Sequence, residues 1–132
     1  AHKGRDLSQN PRAALVFHWE PLRKQVRVEG DVERVSSEEA DAYFATRPRG
    51  SQLGAWASPQ SESIPDRTAL ERETNQLETH YAGRDVPRPP HWNGYRVCPE
   101  TLEFWVDRAS RLHDRFEYRR SSQGWQIRQL AP

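Results

Sequence analysis

Apolar and polar residues in the first third of the chain follow the pattern of half-buried strands. Residues 13–19 form a compact apolar run of strand length, and Glu20-Pro21 interrupts it. Across residues 25–35, valines alternate with polar positions. Such alternation with β-branched residues is typical of a strand that buries one face. The two segments predict an antiparallel hairpin, and a short polar helix is predicted before it over residues 3–9.

Helical spacing dominates the middle of the chain. Ser36 followed by Glu39 has the spacing of a capping box, so a helix begins there. Asp66 opens another helix, with leucines at helical spacing behind it. Residues 50–63 between them are rich in Ser, Gly, Gln and Pro. That composition predicts a loop with one helical turn around residues 53–57.

Short strands separated by turn signals are predicted in the last third. Four segments have this character: residues 94–98, 101–106, 115–118 and 125–130. Runs of strands interrupted by helices favour a β-barrel or sandwich decorated by helices over alternating βαβ units. The predicted fold class is therefore mainly β with helices (α+β), antiparallel, in a single domain of residues 1–132.

Composition suggests a domain that does not complete its core alone. Hydrophobic residues make up 34% of the 132 residues and charged residues 30%. Five tryptophans, four tyrosines and four phenylalanines partly compensate, because each aromatic side chain buries a large area. We therefore expect a small β-rich domain that finishes its core against a partner chain.

Several function classes are disfavoured. The net charge is +1 with acids and bases interspersed, so no basic stripe suited to nucleic acid is indicated. Cys98 is the only cysteine, which fits a reducing cytoplasm. No apolar stretch has the length of a membrane span, and no signal peptide is visible. The sequence contains no Met, which predicts a fragment or a trimmed or processed chain.

The first group of candidate side chains lies at the end of the first central helix. Tyr43 and Arg47 are four residues apart, so they share a helix face. Pro48 ends that helix, and a turn carrying Ser51 is expected to follow. A phenol, a guanidinium and a hydroxyl at one helix end are suited to a phosphate dianion. The alternative is a surface helix with an ordinary exposed arginine.

The second group is the cationic segment around His113. In an extended segment, Arg111, His113 and Arg115 would point the same way. Cationic groups on one face repel each other unless an anion lies among them. The alternative is a solvated face on which water and salt screen the charges.

The third group combines amides with an indole. Gln25, Gln60 and Ser61 carry hydrogen-bonding groups for the edge of a flat heterocycle, and Trp105 can pack on its ring. The alternative is a core tryptophan with surface glutamines. No metal site is predicted, because the five histidines show no paired metal-ligand spacing. Cys98 is predicted to be a small apolar strand residue rather than a nucleophile.

Several segments, in order along the chain, resemble the pyridoxine 5′-phosphate oxidase family. They are NPRAALVFHW, RKQVRVEGDVERVS, YFATRPRGSQLGAWASPQS, VPRPPHWNGYRV, EFWVDRASRLHDRFEYRR and the terminal W-x-I-x-x-LAP. The resemblance implies an FMN-binding split barrel that works as a homodimer with flavin sites at the subunit interface. Residues 1–90 would supply barrel strands and helices, and residues 91–132 the C-terminal dimerisation and active-site strands. The family's preceding N-terminal region, which contributes to the flavin and substrate sites, is not in this sequence.

The same resemblance implies roles for individual residues. Catalytic roles would fall to Arg111 and His113. Substrate contacts would come from Tyr43, Arg47, Ser51, Arg111, Leu112 and His113, the first three at the phosphate. FMN contacts would come from His2, Lys3, Gln25, Gln60, Ser61, Trp105 and Arg115. His2 departs from the arginine that is usual in the family at its position.

The implied reaction is that of a pyridoxal 5′-phosphate synthase. Pyridoxamine or pyridoxine 5′-phosphate is oxidised at its 4′ carbon, with FMN as cofactor and O2 as acceptor, giving H2O2. We expect the residues of the first two groups to share one pocket. Two alternatives stay open: a flavin- or B6-phosphate-binding module without oxidase activity, and a dimeric structural β-domain. The alternative of a module without oxidase activity includes a fragment that is inactive because it has lost its N-terminal region.

Overall fold

The computed structural model describes residues 2–132, which form nine helices and strands and two short 3-10 turns. The chain divides into two compact units. The helical unit comprises Arg34–Tyr95 with the N-terminal residues up to Asp6, and the sheet unit comprises Leu7–Glu33 and Arg96–Pro132. The elements are α1 (His2–Gln9), β1 (Arg12–Trp19), β2 (Lys24–Arg34), α2 (Ser37–Ala45), α3 (Arg49–Ala57), α4 (Arg67–His80), β3 (Tyr95–Val106), β4 (Asp114–Ser121) and β5 (Gly124–Gln129).

The five strands form one sheet in the order β1-β2-β3-β4-β5. The predicted first hairpin is confirmed: β1 and β2 pair antiparallel from Arg12↔Asp31 to Trp19↔Lys24 without interruption. A 3-10 turn over Glu20–Leu22, with proline near its start, joins them. Strands β3 and β4, and β4 and β5, are also antiparallel. The predicted antiparallel α+β class therefore describes the observed architecture.

One predicted break in the sheet is wrong. The two short strands expected on either side of Pro99 form a single strand, β3. The ladder with β4 begins only at Thr101, so Pro99 lies on a stretch without a β4 partner, where a missing N–H costs less. Gly30 of β2 lies against the same stretch. A Cβ at Gly30 would come within 2.0 Å of the carbonyl oxygen of Cys98, so only glycine permits this approach.

Alternation along the paired strands separates two faces of the sheet. One face, called the polar face here, carries Gln25 and Arg27 of β2, Glu103 and Trp105 of β3 and Arg115 of β4. The other, the apolar face, carries most of the aliphatic and aromatic residues of the strands. Many of its side chains are substantially exposed in this chain: Leu15, Phe17, Trp19, Phe104, Phe116, Trp125 and Ile127. No large apolar side chain of the sheet unit is among the buried core residues that the structure describes.

The hydrophobic core lies in the helical unit. Phe44, Leu53 and Val86 are its buried members, and Trp56, Leu77, Tyr81 and Trp92 are among the residues that pack on them. The predicted cap of α2 is confirmed, because Ser36 Oγ accepts a hydrogen bond from the Glu39 N–H at 3.1 Å. Asp66 caps α4 in the same way through the Ala69 N–H at 2.7 Å. Each cap satisfies a backbone donor that the first helical turn leaves unpaired.

The loop predicted over residues 50–63 is largely wrong, because α3 occupies Arg49–Ala57. Leu53 and Ala57, four residues apart, are both buried on one side of this helix. Burial of that stripe outweighs the low helix propensity of Gly50 and Gly54. Among residues 2–132, no helix combines the length and apolar character needed to cross a bilayer.

Candidate functional site

The first candidate group lies on the helical unit, around the indole of Trp92. Tyr43, in the last turn of α2, is 64% exposed. Its ring stacks on Trp92 with centroids 6.1 Å apart and an interplanar angle of 23°. The guanidinium carbon of Arg47 lies 5.3 Å from the centroid of the Trp92 ring, within the range of a cation–π interaction. Trp92 thus holds the predicted phenol and guanidinium side by side.

Two arginines close together in sequence have opposite hydrogen-bonding states. Arg49 donates to Glu78 Oε1 at 2.9 Å, to the carbonyl oxygen of Arg84 at 2.9 Å and to that of Tyr81 at 2.8 Å. Arg47 has no side-chain hydrogen bond or ion pair with any residue in the described part of the chain. The donors of Arg49 are therefore occupied by the fold, while those of Arg47 remain available to an anion.

Ser51 lies in the first turn of α3 rather than in the turn expected from the sequence. Its N–H donates to the carbonyl oxygen of Pro48 at 2.8 Å, and Pro48 is the N-cap residue. A helix N-terminus carries unpaired N–H groups and a partial positive charge, so it favours an anion. The hydroxyl of Ser51 therefore lies at the end of α3 that suits a phosphate.

The second assembly is a row of side chains across the polar face of the sheet unit. Trp105 and Arg115 are directly paired across β3 and β4. Gln25 of β2 lies opposite Trp105 of β3, because a contact on either side of this pair fixes the alignment of the two strands. The N–H of Asp107 donates to the carbonyl oxygen of Arg23 at 3.0 Å, and Arg27 Nη1 lies 3.8 Å from Glu103 Oε2. Directly opposed residues project to the same face, so the three candidate flavin contacts Gln25, Trp105 and Arg115 form one row.

Arg115 is held in place by Glu103. Its Nε and Nη2 donate to the two carboxylate oxygens at 2.9 and 3.0 Å, and its Nη1 donates to the carbonyl oxygen of Ala131 at 2.9 Å. The hydrogen bonds from Arg115 lower the pKa of Glu103, and burial of the carboxylate opposes that shift. The same pairing raises the pKa of Arg115. The guanidinium is thereby fixed in plane with a bidentate partner.

The expectation that Arg111, His113 and Arg115 share one extended face is wrong. Strand β4 begins at Asp114, and Arg111 lies in a 3-10 turn with φ of 62°. The positive charge of Arg115 is balanced by Glu103 within the chain, so it does not require an external anion. Arg111 is exposed and has no side-chain acceptor among residues 2–132. Leu112 beside it is 68% exposed.

His113 lies at the base of the same loop, with three contacts. Its ring centroid is 4.8 Å from that of Trp105, at an interplanar angle of 44°. Its Nδ1 is 2.9 Å from Asp107 Oδ1, and the N–H of Arg108 points to the same nitrogen at 3.1 Å. The imidazole is 22% exposed. The ring is therefore packed on one side and hydrogen-bonded at one nitrogen.

The remaining candidates are exposed and less constrained. His2 Nδ1 lies 3.2 Å from the Arg5 guanidinium in α1, and Lys3 is exposed on the same helix. Gln60 and Ser61 are exposed in the turn after α3, where Ser61 has φ of 70°. They belong to the helical unit, whereas Gln25, Trp105 and Arg115 belong to the sheet unit. No group of three or more potential metal ligands occurs in the part of the chain that the structure describes.

Three contributing residues were missed from the sequence. Trp92 was not singled out, although its indole contacts both Tyr43 and Arg47 and so organises that group. Glu103 and Asp107 were not singled out as the carboxylates that hold Arg115 and His113. The register of a β3–β4 hairpin could have identified both carboxylates. In that register Glu103 is diagonal to Arg115, and Asp107 is opposite His113.

Both parts of the chain match known sequence families. Residues 1–81 match the family described as "Pyridoxamine 5'-phosphate oxidase", and residues 92–132 match "Pyridoxine 5'-phosphate oxidase C-terminal dimerisation region". The chain belongs to the pyridoxine/pyridoxamine 5′-phosphate oxidase family. The resemblance seen in the sequence motifs is thereby confirmed.

Curated relatives agree with this assignment. A protein of Rubrobacter xylanophilus named pyridoxine/pyridoxamine 5′-phosphate oxidase is 58% identical over 130 residues, which are 98% of this chain and 60% of that protein. Its namesake from Ralstonia pickettii is 57% identical over 133 residues, covering 100% of this chain and 62% of the relative. The chain therefore spans about three fifths of the length of these relatives.

Solved structures confirm the fold. PhzG from Burkholderia lata, in complex with tetrahydrophenazine-1-carboxylic acid, matches with a TM-score of 0.92 at 32% identity, covering 100% of this chain and 64% of that one. A pyridoxamine 5′-phosphate oxidase-related, FMN-binding protein from Nostoc punctiforme matches with a TM-score of 0.76 at 20% identity, covering 100% and 69%. The expected split-barrel class is confirmed, and family membership supports FMN as the cofactor. The match to the dimerisation region supports a homodimer.

Proposed function

We propose that the protein containing this chain oxidises pyridoxamine or pyridoxine 5′-phosphate to pyridoxal 5′-phosphate, with O2 as acceptor and H2O2 as product. One observation carries the proposal beyond family membership. Arg47 keeps its guanidinium free of acceptors in the described chain while Trp92 holds it beside Tyr43. An arginine that the fold orders but does not neutralise is suited to binding a dianion.

The phosphate of the substrate binds at the junction of α2 and α3. Arg47 supplies two parallel N–H donors, which match the geometry of phosphate oxygens. The hydroxyls of Tyr43 and Ser51 add two neutral donors, and the N-terminus of α3 adds backbone polarity of the right sign. Stacking on Trp92 limits the rotamers of Arg47, so less conformational entropy is lost when the phosphate binds.

The row on the polar face fits the flavin. Gln25 offers an amide donor and acceptor for the edge of the isoalloxazine, and Trp105 offers an apolar ring. Arg115, whose charge Glu103 balances, offers the N–H groups that its bonds to Glu103 and Ala131 leave free. FMN, when bound, supplies the hydride acceptor for the reaction. The residues of this chain bind and orient it, and Glu103 keeps the guanidinium of Arg115 in position. His2, Lys3, Gln60 and Ser61 are proposed to add polar contacts to the same cofactor.

The β3–β4 loop acts on the substrate ring. Arg111 is exposed and without an acceptor in the described chain, so its planar guanidinium is available to cover and orient the pyridine. Leu112 adds an apolar contact. His113, packed on Trp105, presents a polar edge that orients the substrate by hydrogen bonding. Correct placement of the reacting carbon is the main contribution that a protein makes in cofactor chemistry of this kind.

The assembly is proposed to be a homodimer that shares its flavin sites. Residues 91–132 would supply the C-terminal dimerisation and active-site strands, and residues 1–90 the barrel strands and helices of the one domain. Phe104 and Phe116 on the apolar face are each 40% exposed, and a complete hydrophobic core would bury them further. A cytoplasmic location is proposed as well, since the single cysteine, Cys98, needs no oxidising compartment.

The test uses the full-length protein purified without added flavin. We expect a visible flavin spectrum, FMN on release of the cofactor, and H2O2 production with pyridoxamine 5′-phosphate. Pyridoxamine without its phosphate is the matched control, and its kcat/KM should be lower by at least about ten-fold, the value of one charge-assisted contact. A flavoprotein that releases no H2O2 with either phosphorylated substrate would be a binding module instead.

A second candidate follows from the PhzG match. That protein is described in complex with a tricyclic carboxylic acid, and its fold matches this chain with a TM-score of 0.92. A flavin oxidase acting on an aromatic carboxylic acid would also use Arg47 as an anion anchor. Parallel assays with pyridoxamine 5′-phosphate and with a reduced phenazine carboxylic acid separate the two, and the identities of 57–58% to the named oxidases favour the first.

A further inference from the structure

A carboxylate and an imidazole face each other at the base of the β3–β4 loop. The last pair of the β3–β4 ladder is Val106↔Asp114, so Asp107 and His113 are the next opposed pair. Opposed strand residues project to the same face and have Cβ atoms close together. The contact observed is accordingly short, with 2.9 Å between Asp107 Oδ1 and His113 Nδ1.

Asp107 is itself anchored by the turn between β1 and β2. Its N–H donates to the carbonyl oxygen of Arg23 at 3.0 Å, and its Oδ2 forms an ion pair with the Arg23 guanidinium. The carboxylate of Asp107 is only 18% exposed, so its position is well defined. One oxygen is therefore held by Arg23, and the other is directed at His113.

His113 Nδ1 has two competing partners. The N–H of Arg108 lies 3.1 Å away and would require Nδ1 to accept, whereas Asp107 at 2.9 Å requires it to donate. One nitrogen of a neutral imidazole does one or the other. A hydrogen bond to a carboxylate is charge-assisted and stronger than one from a backbone amide. Arg108 is exposed, so water can satisfy its N–H instead.

We propose that Asp107 is a positioning residue that keeps the neutral His113 ring protonated at Nδ1 and presents Nε2, unprotonated, as an acceptor toward the substrate. The side of the ring packed on Trp105 fixes its plane. The other charged groups around the ring are Arg23, which reaches it through Asp107, and the ion pair between Arg108 and Asp114 at 2.7 Å. The role of Nε2 as an acceptor for the substrate rests on the proposed function, whereas the position of the proton on the ring does not.

Nitrogen-15 NMR of the histidine side chains tests the proton position in the full-length protein with its cofactor. The signals of His113 are identified by their loss in a His113→Gln variant. We expect the neutral ring of the wild-type protein to carry its proton on Nδ1. In Asp107→Asn, Arg23 takes the amide oxygen and the side-chain amide N–H donates to His113, so the proton should move to Nε2.

Asp114→Asn is the matched control, because it makes the same change of charge in the same hairpin on a carboxylate that pairs with Arg108. It should leave the proton on Nδ1. Asp107→Glu, which retains a carboxylate, should also keep the proton on Nδ1. A wild-type ring protonated at Nε2, or one unaltered by Asp107→Asn, would overturn the proposal. The wild-type measurement decides the matter even if a variant does not fold.

Kinetics then show the consequence for the substrate. With FMN content unchanged, Asp107→Asn should lower kcat on the order of ten-fold, while KM for pyridoxamine 5′-phosphate changes by less than about three-fold. An unchanged kcat despite a moved proton would refute the role in positioning. If the wild-type protein oxidises no phosphorylated substrate, the proposed function fails, whereas the NMR comparison still decides how Asp107 acts on His113.

Discussion

Arg47 and Arg49 lie two residues apart, yet the structure predicts opposite consequences when each is replaced by alanine. Arg49 donates to Glu78 and to the carbonyl oxygens of Tyr81 and Arg84. A hydrogen bond of this kind contributes about 0.5–1.5 kcal/mol net, and a half-exposed ion pair lies at the low end of that range. Arg49→Ala should therefore lower the free energy of unfolding by about 2–3 kcal/mol.

Arg47→Ala should affect the substrate instead. Within residues 2–132 its guanidinium contacts the ring of Trp92 but no acceptor, so the loss of stability is limited to about 0.5–1 kcal/mol. Losing a charge-assisted phosphate contact costs about 1.5–3 kcal/mol of binding. That energy corresponds to a KM for pyridoxamine 5′-phosphate raised by about 10- to 150-fold.

The two effects are measured on the same full-length variants. H2O2 release gives KM and kcat, and urea denaturation followed by tryptophan fluorescence gives stability. Unphosphorylated pyridoxamine is the internal control, because its kcat/KM should change little in Arg47→Ala. An unchanged KM for the phosphorylated substrate in Arg47→Ala would exclude Arg47 as the phosphate anchor. An equally raised KM in Arg49→Ala, without loss of stability, would show that the two arginines do not differ in role.

Three further predictions concern the supporting residues. Trp92→Leu removes the platform under Arg47 and should raise the same KM by about two- to five-fold, the scale of an exposed cation–π contact, as steady-state kinetics would show. Glu103→Gln leaves the charge of Arg115 without its bidentate partner. Because that guanidinium is 28% exposed, the cost should be about 1–2 kcal/mol of stability, with weaker FMN binding in a fluorescence titration. The pKa of Glu103 is lowered in the folded state, so its stabilising contribution is present above the ordinary carboxyl value near 4.3 and is lost as pH falls through the lowered value. Unfolding curves measured at descending pH should therefore show that the wild type loses more stability than Glu103→Gln does.

Local chemistry predicted most of the elements. The valine alternation before residue 36 and the caps at Ser36 and Asp66 require only neighbouring residues, and all three appear where expected. Helix α3 was predicted as a loop because its glycines and serines disfavour a helix in isolation. Burial of Leu53 and Ala57 reverses that preference, and burial depends on tertiary contacts that a local pattern does not contain.

In the candidate site, too, features that depend on tertiary contacts could not be predicted from neighbouring residues. The prediction that Tyr43 and Arg47 share a helix face is wrong, because α2 ends at Ala45 and Arg47 follows the C-cap residue of that helix. Their side chains meet instead through a common contact with Trp92. The segment from Arg111 to Arg115 was predicted to be extended, but the chain must reverse direction between β3 and β4, which places Arg111 in a tight turn with positive φ. The partners Glu103 and Asp107 come from the facing strand, so they follow from the pairing register.

We propose that this protein brings a phosphorylated B6 vitamer into contact with a bound flavin. The most direct measurement mixes the purified full-length protein with pyridoxamine 5′-phosphate under anaerobic conditions and follows the visible flavin absorbance. We predict bleaching of the flavin band with formation of pyridoxal 5′-phosphate in equal amount, and recovery of the band on admission of O2. A flavin band that persists under saturating pyridoxamine and pyridoxine 5′-phosphate would show that the bound flavin oxidises neither vitamer.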